Sequence, residues 1–362
     1  MLKLALLILA VQDETRPVAL AALADGGIAV VDPVKGRLIR RIEGLSDATF
    51  GIAVNPAQRS QAWAVGEKTG QLFQLDLSAW AVKGAPIAIG GPAHQPVTTA
   101  DGRFVLVTVP GDNTLTIVDA RTRAVSKIAM PHDPHIVDID PRTDHVFVSR
   151  RGAERGATFL DFAKVRAKFD LSKGVTLTGA EAGALPIPIS GAPRVITALG
   201  SGRFAIAMYG KRGPLIYQVK DGKAALVDDL DNLTTVRPRA AKANLEYLEA
   251  QAVSADGRTL VGTDQGVPAL LRVWDLDADG RGVRERSIEL PAEPYWVNLS
   301  ADGRTAWVTI PKQGETGRVL TIDVASGRMT ASVAIDDDGK RHTPKRMVVV
   351  DLPSAWVGEA HR

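Results

Sequence analysis

The sequence predicts an all-β fold, a seven-bladed β-propeller made of four-stranded antiparallel blades. The first observation behind it is a repeat of apolar strands ending in Asp, which recurs along the 362 residues at intervals of 42 to 59 residues. The second is a set of Ala-Asp-Gly-Arg turns between apolar runs, at positions 100–103, 255–258 and 301–304. The third is the composition: 34 Gly, 21 Pro and only 5% aromatic residues favour many short strands joined by tight turns.

The Asp-terminated strand is recognisable in six copies. These copies end at Asp32, Asp76, Asp119, Asp161, Asp275 and Asp323. A degenerate seventh copy, 215–219, fills the gap between the fourth and fifth, with Lys220 where the Asp is expected. Asp-Gly turns between apolar runs predict hairpins, because Gly accepts the positive φ that such turns need. Seven units with room for four strands each are typical of a propeller, whose radial packing leaves only short sheet edges.

This pattern resembles the YVTN-repeat family of seven-bladed propellers over nearly the whole chain. The clearest matches are 97–119 and 298–323, where an inner strand, an Asp-Gly turn, a second strand and an Asp-terminated strand follow one another. The Asp-Gly turn is absent from the second and fourth repeats, and the second-strand tyrosine is missing almost everywhere. The resemblance implies an architecture, and such architectures host many functions.

The two ends of the chain suggest how the ring closes. Residues 345–351 begin like an inner strand but have no blade of their own, whereas 17–23 needs an inner strand beside it. We therefore expect one blade to be shared between the N- and C-terminal segments, which removes the open sheet edge. The alternative is that residues 10–13 form the inner strand of the first blade.

The first residues resemble a secretory leader. Lys3 precedes a short apolar run that stops at Gln12. We expect residues 1–11 to be the leader and 12–362 to be a single propeller domain. The protein is then periplasmic or secreted, and cytoplasmic if the N-terminal run is instead a strand. The apolar runs fall short of the roughly 20 residues that a membrane-spanning helix needs, so no transmembrane segment is predicted.

Composition excludes several kinds of chemistry. The chain has no Cys, which rules out disulfides, thiolate metal sites and a cysteine nucleophile. A formal charge of only +3 argues against a dedicated nucleic-acid binder. We expect a monomer whose partner is a small anionic ligand or a protein bound at the channel mouth, and the sequence identifies no cofactor.

The start of each inner strand is where a propeller presents residues at the mouth of its central channel. Counting seven residues back from each turn Asp, or from the equivalent position in a diverged repeat, selects one residue per blade. We call these the ring residues: Phe50, His94, His135, Arg194, Glu249, Tyr295 and Arg346. Most are polar or ionisable, whereas a strand serving the core alone would carry apolar side chains there. Trp296, beside Tyr295, is added as a residue able to stack on a ligand, although a core role is the simpler interpretation.

The ring residues suggest two kinds of chemistry. Histidines one blade apart, His94 and His135, suit a metal or a proton transfer. Arg194 and Arg346 favour an anionic ligand, because guanidinium binds carboxylate or phosphate in a bidentate fork. Histidines above an arginine-framed funnel are also similar to haem d1 propellers, which implies a tetrapyrrole.

Two functional hypotheses follow from these residues. The first is an exported binding, accessory or scaffold propeller that holds an anionic small molecule, cofactor or partner at the channel mouth. The alternative is an enzyme, a lyase, lactonase or oxidoreductase, in which the two histidines act as acid–base groups or as ligands of a metal or tetrapyrrole.

Two segments exceed the repeat length, 163–190 and 228–246. Insertions in repeat proteins form loops, often on the binding face. We expect either plain surface loops or a lid or partner contact.

Overall fold

The repeated strands form a ring of seven four-stranded antiparallel blades, so the predicted β-propeller is confirmed. The computed structural model describes residues 14–357 apart from 46, 48, 153–154, 239–246, 314–315 and 338. Blades are numbered 1 to 7 by the position of their innermost strand in the chain. Within the described ranges no helix is long and apolar enough to cross a membrane.

Blades 1 to 6 are built outward from the channel in chain order, whereas blade 7 takes its innermost strand from the C-terminal end of the chain and its other strands from the N-terminal end. The innermost strands of blades 1 to 7 are Thr49–Val54, Pro96–Thr98, Pro134–Asp140, Pro193–Gly200, Leu248–Val253, Val297–Leu299 and Pro344–Pro353. The second strands are Gln61–Gly66, Phe104–Val109, His145–Arg150, Arg203–Met208, Thr259–Asp264, Thr305–Gln313 and Thr15–Leu23. The third strands are Gln71–Asp76, Thr114–Asp119, Gly156–Asp161, Leu215–Lys220, Leu270–Leu276, Thr316–Asp323 and Ile28–Asp32.

The outermost strands are the most exposed. They are Ala81–Val82 with Ile87–Ala88, Val125–Ala129, Leu185–Pro188, Lys223–Asp229, Gly282–Glu289, Met329–Ala334 and Arg37–Ile42. A small hairpin, Asp336–Asp337 with Lys340–Arg341, precedes the last inner strand. Four 3₁₀ turns complete the described elements: Pro110–Asp112, Leu171–Lys173, Leu230–Leu233 and Ser354–Val357.

Blade 7 closes the ring with strands from both ends of the chain. Thr15–Leu23 pairs antiparallel with Pro344–Pro353, so that Val18 lies opposite Val350 and Leu20 opposite Val348. The predicted shared blade is therefore correct, and the C-terminal strand holds the position that residues 10–13 would have needed in the alternative. Residues 1–11, the expected leader, lie outside the described residues.

The repeated Asp and Asp-Gly positions have local structural roles. Asp119 ends a third strand, and its carboxylate accepts hydrogen bonds from the N–H groups of Arg121 and Thr122, both at 2.9 Å. This arrangement makes the tight turn into the outer strand. Gly102 has φ +67°, and a Cβ there would lie 1.8 Å from Asn55 Oδ1, so two independent constraints require glycine.

The core lies between neighbouring blades. One cluster joins Phe147 of blade 3, Phe204 of blade 4 and Trp274 of blade 5, with the two phenylalanine centroids 4.9 Å apart. These side chains are fully buried. Among the described residues, five clusters of this kind lie between neighbouring blades, as expected for repeats that cannot bury their apolar faces alone.

The two insertions lie at opposite ends of the channel. Segment 163–190 begins in the helix Phe162–Lys168, and Arg166 pairs with Asp101 and Asp144 at the turn end, opposite the ring residues. Its strand Thr176–Leu177 extends blade 2 as a fifth, parallel strand. The contacts of Arg166 place the first part of this segment at the far rim.

Segment 228–246 approaches the mouth. The buried side chains of Arg212 and Arg272 donate hydrogen bonds of 2.6 Å to the carbonyl oxygens of Pro238 and Val236 respectively. Both guanidinium groups also pair with Asp264, which is fully buried. Residues 239–246 of this insertion lie outside the described residues.

Candidate functional site

The ring residues converge at one end of the channel, where the inner strands begin. The rings of Phe50 and His94 stack with centroids 4.4 Å apart, and His94 meets His135 edge-on at 4.9 Å. On the other side of Phe50, the Arg346 guanidinium lies 4.2 Å from that ring and 4.3 Å from the ring of Trp296. A series of pairwise contacts thus joins side chains that are up to nearly 300 residues apart in the chain.

Irregular strand pairing accompanies these positions. In blades 1, 3, 4 and 5 the ladder between the first and second strands shifts register at the ring residue and the one after it. A β-bulge of this kind re-aims a side chain and is common beside functional sites. The residues concerned are Phe50, His135, Arg194 and Glu249.

A hydroxyl on the second strand fixes the ring from blade to blade. Thr309 shows the pattern: its Oγ1 accepts a 2.9 Å hydrogen bond from the Trp296 N–H and donates one of 2.6 Å to the Lys345 carbonyl in blade 7. Blades 2, 3 and 5 repeat both bonds with a hydroxyl at the same strand position. The repeating donors are Thr108, Ser149 and Thr263. These hydroxyls, which were missed from the sequence, hold the backbone of the ring in place.

Arg194 is an electrically compensated member of the ring. Its guanidinium pairs with Glu249, which is 4% exposed, and donates a 2.9 Å hydrogen bond to the Tyr209 hydroxyl. The ring of Tyr247 lies 4.9 Å from the same guanidinium. Burial alone would lower the pKa of Arg194, but the Glu249 carboxylate raises it above its ordinary value. Neither tyrosine was predicted, because neither occupies the ring position of its blade.

Arg346 is the uncompensated cation of the site. It is 4% exposed, and its contact with a polar side chain is a hydrogen bond from Nη1 to Gln95 Oε1. Within the described part of the chain it forms no ion pair, and its Nε has no hydrogen-bond partner. Burial lowers the pKa of Arg346 from 12.5 to about 10, against the upward effect of Tyr295 and Glu249. Neighbouring Lys345 adds little net charge because it lies 3.5 Å from the Glu67 carboxylate.

The two histidines are neutral at physiological pH. Burial, followed by the nearby Arg346 charge, lowers the pKa of His94 from 6.5 to about 3. Burial, with Arg151 next, lowers the pKa of His135 well below its usual value. His135 Nδ1 lies 3.1 Å from the Arg194 carbonyl oxygen, which can only accept, so Nδ1 carries the proton and Nε2 a lone pair. The buried Nδ1 of His94 has no partner among the described residues.

The remaining predicted positions have mixed environments. Tyr295 is half-buried, and burial raises the pKa of its phenol, with the Glu249 charge adding to the effect. Trp296 serves two roles, because it belongs to a core cluster and also presents a ring face to Arg346. His132, which lies three residues before His135 and is not a ring residue, is exposed. The described ranges contain no group of three His, Asp or Glu side chains arranged to hold a metal ion.

Comparison with known proteins shows the fold and leaves the function open. No family model matches the sequence, and no curated protein matches it either. Among solved structures, a periplasmic gluconolactonase from Pseudomonas aeruginosa is similar at 17% identity and TM-score 0.66, with 92% of this chain and 99% of that chain covered. A protein from Lactobacillus plantarum superposes at TM-score 0.67 and 12% identity, covering 93% and 100% of the two chains.

A dihydro-heme d1 dehydrogenase is also similar, at TM-score 0.58 and 12% identity, covering 94% of this chain and 76% of its own. At such identities each of these likenesses concerns architecture alone, since one fold hosts many chemistries.

Proposed function

We propose that this protein binds an anionic small molecule at the mouth of its central channel. The observation that carries the proposal is Arg346, a buried guanidinium without an ion-pair partner in the described part of the chain. An uncompensated buried charge costs several kcal/mol, and an anion docking above it recovers that cost.

The surroundings of Arg346 define what such a ligand must offer. Stacking between Phe50 and Trp296 holds the guanidinium plane, so its fork is already oriented for a carboxylate or phosphate. His94 Nδ1 and His135 Nε2 add two neutral nitrogens within the same contact chain. Arg194 contributes less attraction, because Glu249 already neutralises it. The ligand is thus a small anion with additional hydrogen-bonding groups.

Isothermal titration calorimetry with acetate, succinate, citrate and inorganic phosphate tests the proposal. We expect saturable binding of at least one of these probes, and Arg346→Met should weaken it at least tenfold. Arg346→Lys keeps the positive charge but lacks the bidentate guanidinium. Its affinity should therefore lie between that of the parent protein and that of Arg346→Met. Arg304→Met, which removes an exposed arginine at the far rim, is the matched control and should bind like the parent protein. Equal affinity in the Arg346→Met and Arg304→Met variants would refute the assignment.

An enzyme using the same residues is the second candidate, and the free Nε2 of His135 is the observation that favours it. This nitrogen can accept a proton, and Arg346, which lies beyond His94 and Phe50 in the same contact chain, can stabilise developing negative charge. The low pKa values of both histidines make the imidazoles weak bases until a bound anion raises those values. A pH-stat assay with lactone substrates, repeated with His135→Asn, tests the lactonase form of this role. Metal analysis and a visible absorption spectrum of purified protein test its metal- or tetrapyrrole-dependent forms.

We also propose that the repeat is of the YVTN type and that the protein is exported as a monomer. Two features support export: the apolar start of the sequence and the likeness to a periplasmic propeller. N-terminal sequencing of protein from the periplasmic fraction should begin near residue 12. An intact Met1 in mature protein from the cytoplasm would contradict export.

A further inference from the structure

A second polar site lies inside the channel, beyond the ring residues. A cavity of about 340 Å³ is lined by the innermost strands of all seven blades. Its walls are mostly aliphatic, with polar side chains at a few positions. Asp138 is the one charged residue among the lining residues. The cavity therefore has an electrostatic character opposite to that of the mouth.

Two amide side chains in this cavity lack partners. Gln251 is 5% exposed, and neither its Oε1 nor its Nε2 has a hydrogen-bond partner among the described residues. Asn298 Oδ1 is also a buried atom and has no hydrogen-bond partner among the described residues. A buried polar atom without a partner is destabilising, because it has lost its hydrogen bonds to water and gained none in the protein. A guest that donates hydrogen bonds to both amide oxygens would remove that cost.

Asp138 supplies a fixed negative charge beside these amides. Its two oxygens accept hydrogen bonds from the N–H groups of Ile139 at 2.9 Å and Ala198 at 2.8 Å. Those bonds orient the carboxylate, and no described cation pairs with it. Burial raises the pKa of Asp138 to about 6, so the group is mostly ionised at pH 8 and its charge is poorly solvated.

The approach to this cavity from the far rim is also acidic. Asn298 and Val253 line both the channel cavity and a surface crevice at the turn end of blades 5, 6 and 7. The charged residues of that crevice are Asp302 and Asp351. Asp302 is also 3.9 Å from Arg304, so Asp351 is the carboxylate of the crevice without a described ion pair.

We propose that the channel binds a small protonated primary amine through Asp138, Gln251 Oε1 and Asn298 Oδ1. An ammonium group carries three N–H donors and no acceptor, which matches these three oxygen-bearing side chains. The aliphatic walls and the volume, which exceeds that of a bare ion, favour a cation with an alkyl part. None of its three proposed ligands is a ring residue, although the cavity wall also includes Gln95 and Trp296, which contact Arg346.

Calorimetric titration at pH 8 with n-butylammonium chloride tests the proposal, with n-butanol as the uncharged counterpart. We expect saturable one-to-one binding of the ammonium and none of the alcohol. Gln251→Leu should weaken binding at least tenfold, and Asn298→Asp should strengthen it at least tenfold by adding a second carboxylate. Arg346→Met removes a positive charge near the cavity and should bind butylammonium at least as tightly as the parent protein, so loss of the anion site and loss of this site are distinguishable.

Three outcomes would overturn the assignment. One is the absence of saturable butylammonium binding, and another is an affinity that neither substitution changes. The third is saturable binding of CaCl₂ or NaCl with none of the amine, which would make the cavity a metal site. If Gln251→Leu fails to fold by circular dichroism, the gain expected for Asn298→Asp still decides the question.

Discussion

Replacing Arg346 by Met should stabilise the ligand-free protein, which is the opposite of what removing a buried arginine usually does. Burial holds the pKa of Arg346 at about 10, compared with 12.5 in solution. At 1.36 kcal/mol per unit this difference puts the cost of keeping the group charged at roughly 3 kcal/mol. The cation–π contacts with Phe50 and Trp296 stabilise the charged guanidinium by about 0.5–1 kcal/mol each. Methionine keeps the contact with both rings without a charge. The free energy of unfolding should therefore rise by about 1–2 kcal/mol.

Arg194→Met is the matched contrast. Arg194 occupies the same position in the ring, but its removal leaves the buried Glu249 carboxylate without its ion-pair partner. That change should lower the free energy of unfolding by about 3–5 kcal/mol. Urea denaturation in Tris chloride at pH 7.5, followed by circular dichroism, measures both variants. A loss of 2 kcal/mol or more in Arg346→Met, or equal effects in the two variants, would refute the reasoning that Arg346 is an unpaired charge.

Three further predictions concern stability. The free energy of unfolding should fall by roughly 2–3 kcal/mol between pH 6.5 and 4.5 on account of His94 alone, since its pKa of about 3 lets the unfolded chain bind the extra proton. Denaturation at stepped pH should show a flatter profile in His94→Asn, and an unchanged slope would contradict the assignment. Asp264→Asn should lower the free energy of unfolding by about 3–5 kcal/mol, because Arg212 and Arg272 would lose their shared buried carboxylate. A change of less than about 1 kcal/mol in a urea titration would contradict this prediction. Thr309→Val should lower the free energy of unfolding by about 1–3 kcal/mol, because the Trp296 N–H and the Lys345 C=O would lose their hydrogen-bond partner. Thr305→Val in the same strand is the control.

The arithmetic of the repeat predicted the neighbours in the ring. His94 and His135, one repeat apart, are in contact, and Arg194 lies beside Glu249 of the next blade. Equivalent positions in successive repeats are adjacent in space because each blade is rotated by one step about a common axis. The hydroxyl residues that link the blades could have been predicted in the same way, because Thr or Ser recurs as the fifth residue of four second strands.

The channel site had a weaker signal. Asp138 and Asn298 each lie three residues after the ring residue of their blade, but Gln251 lies two residues after Glu249, so no single offset selects all three. Their lack of partners depends on where each side chain points within the cavity, which the pattern of apolar and polar residues does not specify.

The sequence by itself determined the number of blades, their order, the shared closing blade and the residues that reach the mouth. These features follow from periodicity, because a repeated alternation of apolar residues and Asp or Gly turns has few ways to bury its apolar faces. The tertiary structure alone decided which of the two ring arginines is neutralised. Arg194 and Arg346 occupy the same position of the repeat, but Arg194 faces a carboxylate and Arg346 faces two aromatic rings. The charge available to a ligand is a property of that packing, because burial and the nearest neighbours set the energy of each guanidinium.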